Sequence, residues 1–307
     1  MNSLVLFEQL LVLLALMFTG FISYKTKLVD DNTYRHLSSF MVWILNPFLM
    51  LSGVLGKDSD INGELVMQNL IMVGVLYLAL FLFGFLYVWI FRLKGKQGYL
   101  YRLLMQFSNV GFMGVPLVKE IFGAQYIIYV AFYMLAFNVL CYSYGVYLAS
   151  AMGETKEKFQ WKKLLSPGTF SSVIAILIFV LHISVPTPIE TFVDYLGDTS
   201  IALSMVIIGI SLAQMDWKSA FSKKEYYIFS FVRMFLLPLV MVYLSNFLPF
   251  DKTVIGVYQV MICMPVASMT CMLSQEYGGD GSEAAKMISI TTILTVISAP
   301  LIILLTS

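Results

Sequence analysis

Apolar runs long enough to cross a bilayer recur along the chain, separated by short polar breaks. A membrane-spanning helix needs about 20 mostly apolar residues. Ten segments meet that pattern: 4–24, 36–55, 66–91, 100–121, 125–150, 168–185, 197–215, 226–248, 253–274 and 284–305. The longest polar connector, MGETKEKFQWKKLLSPG from Met152 to Gly168, divides the chain near its midpoint. Nothing else reads as a linker or a separate soluble domain. The opening stretch MNSLVLFEQLLVLLALMFTGFISY lacks a basic leader and a small-residue cleavage site, and so reads as the first span. The fold expected is an all-α polytopic membrane protein. It has five spans in residues 1–151, a connector at 152–167, and five more in 168–307.

The placement of basic residues tests that count. With alternating spans, one face receives Lys25, Lys27, Arg35, Arg92, Lys94, Lys96, Arg102, Lys156, Lys158, Lys162, Lys163, Lys218, Lys223, Lys224 and Lys286. The other receives Lys57, Lys119 and Lys252. The positive-inside rule then puts the connector in the cytoplasm and both termini outside the cell membrane. A miscount by one span would scramble this asymmetry.

The two halves also align with each other. Shifting by 156 positions lays Phe107-Ser-Asn-Val-Gly on Cys263-Met-Pro-Val-Ala and Lys96 on Lys252. Leu117-Val-Lys-Glu-Ile-Phe-Gly123 falls on Leu273-Ser-Gln-Glu-Tyr-Gly-Gly279. Halves with an odd number of spans run in opposite senses through the membrane. This is the inverted-repeat plan of many secondary transporters.

The fourth segment carries a polar island, FSNVGFMGVP, from Phe107 to Pro116. Pro116 removes a backbone donor and crowds the carbonyl four residues earlier, and Gly111 and Gly114 weaken the helix further. At membrane depth, freed backbone groups persist only against protein or a water-filled cavity. The ninth segment carries a matching CMPVASMTCML, with Pro265, Ser268 and Thr270. Interrupted helices at corresponding places in two inverted halves point to a binding site. Half-helix N-termini there would favour an anion. For single features the alternatives stay open. Gly111-Phe-Met-Gly114 also suits close helix packing, and Ser268 and Thr270 could bond their own helix backbone.

These residues carry a family resemblance. Asn109-Val-Gly-Phe-Met-Gly-Val-Pro116-Leu resembles the N-x-G-x-x-G-x-P-L signature of the auxin efflux carrier family, which includes plant PIN carriers and bacterial malate or malonate permeases. Pro265-Val-Ala through Gln275-Glu-Tyr-Gly, and Ser289-Ile-Thr-Thr-Ile-Leu-Thr-Val-Ile-Ser-Ala-Pro300, resemble its C-terminal pattern. Leu45-Asn-Pro47-Phe-Leu is similar to its early proline element. The resemblance covers essentially the whole chain. It implies ten helices with two crossing broken ones, a scaffold group, a moving transport group, and carriage of organic anions. Thr270 stands where the plant carriers have a second proline, and their long central loop is missing. A small carboxylate such as malate or malonate therefore suits this chain better than an auxin-like aromatic carboxylate. An anion channel or a receptor using the same broken helices is the other alternative.

Composition narrows the classes further. The chain is 59% hydrophobic and 12% charged, with mean hydropathy +0.84, against roughly 25% charge in soluble domains. A net charge of +1 leaves no basic stripe for nucleic acid. Cys141, Cys263 and Cys271 all lie in apolar runs, which speaks against a disulfide framework. Arg233 is the one basic residue within a span away from its ends; it lies about two turns from the cytoplasmic end, where it could attract substrate or snorkel. Asn46 and Asn138 are candidates to line the cavity or to bond between helices. Gln106 lies one turn from the island, and Ser108 within it.

No acidic residue sits at the centre of a span, so a midplane carboxylate pair for proton antiport is not expected. A sodium site near Gln275 and Glu276 remains open, as do proton coupling, uncoupled transport and a homodimer. No cofactor is called for. The two histidines, His36 and His182, make no metal-binding helix, and no G-x-S-x-G occurs. An enzyme is not expected.

Overall fold

The computed structural model describes residues 3–55, 61–153, 166–214, 223–277, 279 and 281–306. Most of the 152–167 connector, with its lysines, lies outside the described residues, as do Lys57 and Lys218.

The described chain is all-helical. Helix α1 is Ser3–Lys25. Helix α2, Asp31–Phe40, runs through a π-helical turn at Met41–Leu45 into α3, Asn46–Ser52. Helix α4 is Gly63–Ile90, α5 is Gly95–Gln106, and a π turn at Val110–Gly114 leads into α6, Val115–Phe122. Helix α7, Ile127–Leu140, continues through a π turn at Cys141–Gly145 into α8, Val146–Ser150. In the second half come α9, Pro167–Val180, and α10, Thr187–Gln214. Helix α11, Lys224–Phe231, joins α12, Leu237–Ser245, through a π turn at Val232–Leu236. Last are α13, Lys252–Ile262, α14, Met269–Glu276, and α15, Gly281–Thr306.

Local chemistry sets several starts. Asp30, Asn62, Ser166 and Asp251 each accept a hydrogen bond from a first-turn N–H, which satisfies a donor the helix cannot. Helix α10 begins ten residues before the expected 197. Pro188 at its second position suits a helix start, and Glu190, Asp194 and Asp198 line its first turns. Helix α9 ends at Val180, short of 185, where His182 takes a positive φ of 49°.

Among the described residues, five stretches are long and apolar enough to cross a membrane: Gly63–Ile90, Ala124–Ser150, Thr187–Gln214, Lys224–Ser245 and Gly281–Thr306. The fourth and ninth expected spans do not run as single helices. Outward faces are apolar, with Phe18, Leu82, Trp89 and Phe247 exposed. In water such faces would be costly; in lipid they are the solvated surface.

The helices pack in two groups. Helix α1 lies along α10, and α3 lies on both α9 and α10. The other group gathers α4, α5, α7 and α11–α15. Within it the Asn69 amide donates to the Tyr129 carbonyl at 3.2 Å, and the Tyr77 hydroxyl to the Tyr133 carbonyl at 2.8 Å. The groups meet where α9 packs on α7 and α1 on α15. The α1–α10 crossing is close enough to exclude side chains: a Cβ on Gly20 would lie 2.1 Å from the Val206 carbonyl oxygen. One on Gly209 would lie 1.8 Å from that of Met17.

Candidate functional site

Both interrupted segments unwind, and they meet where they unwind. Helix α5 stops at Gln106, and Phe107 is extended. Residues Cys263–Ser268 separate α13 from α14. Ser108 and Val266 form an antiparallel bridge. The Asn109 N–H donates to the Pro265 carbonyl at 2.8 Å, and the Ala267 N–H donates to the Phe107 carbonyl at 2.9 Å. The Val266 N–H finds the Thr291 hydroxyl on α15 at 3.3 Å. Each break thus satisfies the other's freed backbone, as burial at this depth requires.

Asn109 organises the restart. Its carbonyl accepts from the Gly114 N–H at 3.1 Å, and its side-chain Oδ1 accepts from the Phe112 N–H at 3.3 Å. The amide therefore caps the π turn. The break lies at Phe107–Asn109, seven or more residues ahead of Pro116. Pro116 falls where the π turn passes into α6, and the backbone is helical on both sides of it, so it does not sever the span. Pro265 sits in the extended crossing and lends its carbonyl to it. The N-terminal ends of the Val110–Phe122 helix and of α14 both begin here, and each carries partial positive charge.

Arg233 reaches the same place from the π turn between α11 and α12. Its Nη2 donates to the Ser108 Oγ at 2.5 Å. The residue has no exposure, and its Nε and Nη1 find no hydrogen-bond partner among the described residues. Its distance in sequence from Ser108 gave no sign of this pairing. Snorkelling is not what this side chain does: it turns inward to the crossing.

The other expected residues fall at varied distances. Gly111 faces the Met134 thioether, and Gly114 faces that of Met261. Gln106 is buried at the end of α5. Asn138 is buried one turn along α7 from Met134, its Nδ2 unpartnered and 3.2 Å from where a Cβ on Gly168 would stand. Asn46 is half-buried at the start of α3. Thr270 donates to the Ala267 carbonyl at 2.7 Å, so its hydroxyl serves its own turn, and Ser268 precedes α14 without capping it. Gln275 and Glu276 are exposed on the last turn of α14. Thr291 was not singled out. Its signal was a pair of hydroxyls, Thr291-Thr292, in the middle of an apolar run.

The arrangement brings together a buried guanidinium, two helix N-termini, a hydroxyl and an amide. All but the amide's oxygen favour negative charge. A family model described as membrane transport protein matches residues 5–303. An uncharacterized transporter of Methanothermobacter thermautotrophicus is 23% identical over 96% of each chain. Another, from Methanocaldococcus jannaschii, is 25% identical over 93% of this chain and 94% of its own. A protein of Rhizobium meliloti provisionally named a malonate transporter is 22% identical over 90% of this chain and 89% of its own.

Proposed function

The chain belongs to the membrane transport protein family, that of the auxin efflux carriers, and from that premise we propose that it carries a small organic anion across the cell membrane by alternating access. The substrate class is a carboxylate of the malate or malonate kind. Arg233 is the observation that carries this reading. A buried cation without an acidic partner is expensive, by several kcal/mol even after relaxation. A carboxylate at the crossing would supply the missing countercharge and engage the free Nε and Nη1 donors. The two converging helix N-termini favour the same charge. The Rhizobium meliloti relative's name agrees with a small dicarboxylate.

The same reading takes the chain as ten crossings in two inverted repeats, with both termini outside and the connector in the cytoplasm. The packing pairs off as that symmetry requires. Helix α1 on α10 has its counterpart in α9 on α3, α9 on α7 in α1 on α15, and α4 on α5 in α12 on α13. Asn109, Ser108 and Arg233 are assigned to the substrate, with Gly111, Gly114, Pro116 and Pro265 shaping the backbone around it.

Purified protein in proteoliposomes tests the function. Uptake of malonate, malate and an aromatic carboxylate is measured with and without sodium and a pH gradient. Saturable uptake with counterflow is expected for a small dicarboxylate, and the gradient that accelerates it identifies the coupling ion. Arg233→Gln should weaken apparent affinity about ten- to a hundredfold, the worth of a charged hydrogen bond of about 1.5–3 kcal/mol. Flux that rises linearly with concentration would mark a channel, and binding without flux a receptor. Unaltered affinity in Arg233→Gln would remove the arginine from the site.

A further inference from the structure

Where α4 ends and α5 begins, the elbow Phe91–Lys94 turns the chain at the edge of the apolar surface. A cleft of about 1100 Å³ opens there, with Leu82, Leu86 and Trp89 on its apolar wall and Arg92, Lys94 and Arg102 as its cations. Trp89 is 76% exposed, and Leu82 and Leu86 also face outward. Arg102 comes from α5, two turns in from its start. Its guanidinium carbon stands 4.1 Å from the centre of the Phe85 ring, a cation–π contact. Its Nε has no hydrogen-bond partner among the described residues. Among the described residues no carboxylate pairs with any of the three; the ion pairs present are Lys119–Asp198 and Lys223–Glu283.

We propose that this cleft binds one anionic phospholipid, its phosphate between Arg92, Lys94 and Arg102 and an acyl chain along Leu82, Leu86 and Trp89. Phe85 lies five residues before Ile90, the last residue of α4, about 7.5 Å down the helix at 1.5 Å per residue. Arg102 therefore carries charge below the level of Arg92 and Lys94, alongside a wall that faces lipid. A soluble phosphate has no use for that wall, and a zwitterionic headgroup brings a cation of its own to a site that already holds three. The exposed indole of Trp89, in the last turn of α4, suits the headgroup level, where tryptophan is enriched. Basic pockets at the ends of membrane helices recognise anionic headgroups by this combination of charge and apolar surface.

Native mass spectrometry of the full chain, delipidated and titrated with phosphatidylglycerol or phosphatidylcholine, tests the proposal. The parent protein should retain one phosphatidylglycerol in preference to phosphatidylcholine. Each near-surface cation is worth roughly fivefold in affinity. Arg92→Gln and Lys94→Gln should thus each weaken retention about fivefold, and the triple variant with Arg102→Gln on the order of a hundredfold. Arg92 and Lys94 are exposed, so the single variants keep the test decisive if the triple variant fails to fold. Lys25→Gln with Lys27→Gln, at the end of α1, should leave retention unchanged. Equal retention of the two lipids, or undiminished retention in the single variants, overturns the site. So does displacement of the lipid by equimolar glycerol phosphate, which would make the headgroup alone the ligand.

Discussion

Replacing Gly209 by alanine places a methyl group where the α1 backbone already is. The added Cβ would stand 1.8 Å from the Met17 carbonyl oxygen, 2.7 Å from its carbon and 3.0 Å from its Cα. Ordinary contact begins at 3.4 Å, and a backbone carbonyl has no rotamer by which to withdraw. Helices α1 and α10 would have to part locally by about 1.5 Å, a gap at which dispersion contacts lose a quarter to a half of their strength or more. Overpacking of this kind costs about 1–3 kcal/mol, and here the upper end applies because the obstruction is rigid. For a chain of this size about 3 kcal/mol corresponds to a melting shift of roughly 5 °C. Thermal unfolding in detergent, followed by tryptophan fluorescence and monodispersity, measures it. Gly74→Ala is the control, because a Cβ at that exposed position on α4 meets nothing within 4 Å. Gly20→Ala acts at the same crossing, so the double variant should lose less than the sum of the singles. If Gly209→Ala melts within about a degree of Gly74→Ala, the close crossing is not where these helices derive their stability.

Two further outcomes are expected. Asn109→Ala removes the cap from the Phe112 N–H and a side-chain amide from the crossing, at roughly 1–3 kcal/mol, so substrate affinity should fall about tenfold; binding equal to the parent's would place the substrate elsewhere. A single cysteine at position 160 should react with an impermeant maleimide only in inside-out vesicles, and labelling confined to right-side-out vesicles would reverse the orientation inferred from the lysines.

The region of each break was legible because Asn109 with two glycines, and Pro265 in the second half, mark weak helix within apolar runs. The glycines themselves lie in the π turn that follows the break. What the prolines do was less legible. Pro116 reads in sequence as the point of rupture, yet the chain unwinds earlier, because the pairing of Phe107 and Asn109 with Ala267 and Pro265 decides where hydrogen bonds leave the helix. That pairing joins residues far apart in sequence. The contact of Arg233 with Ser108 was hidden for the same reason, since a charge in a span announces a role but not its address. The π turns left no composition signature either: one of them, Val232–Leu236, carries the arginine, and its sequence VRMFL reads as ordinary helix. The early start of α10 was obscured by its acidic first turns, which lower the apolar average although the helix is continuous through them.

The two-residue ribbon at the crossing has a mechanical meaning. Pulling the breaks apart would strip two N–H groups and two carbonyls of their partners inside a low-dielectric interior, at roughly 1–3 kcal/mol for each orphan. Helices α5, α6, α13 and α14 are thereby riveted into one block, although they belong to opposite halves of the chain. A cargo held at the rivet cannot be released by parting its two sides as jaws would. On the proposed carrier reading it rides with the block. The block touches α1 through α6, and the helices around it meet the other group where α9 rests on α7 and α1 on α15. There side chains pack against their neighbours, and Lys119–Asp198 ties the block to α10 at an accessible edge that water can loosen.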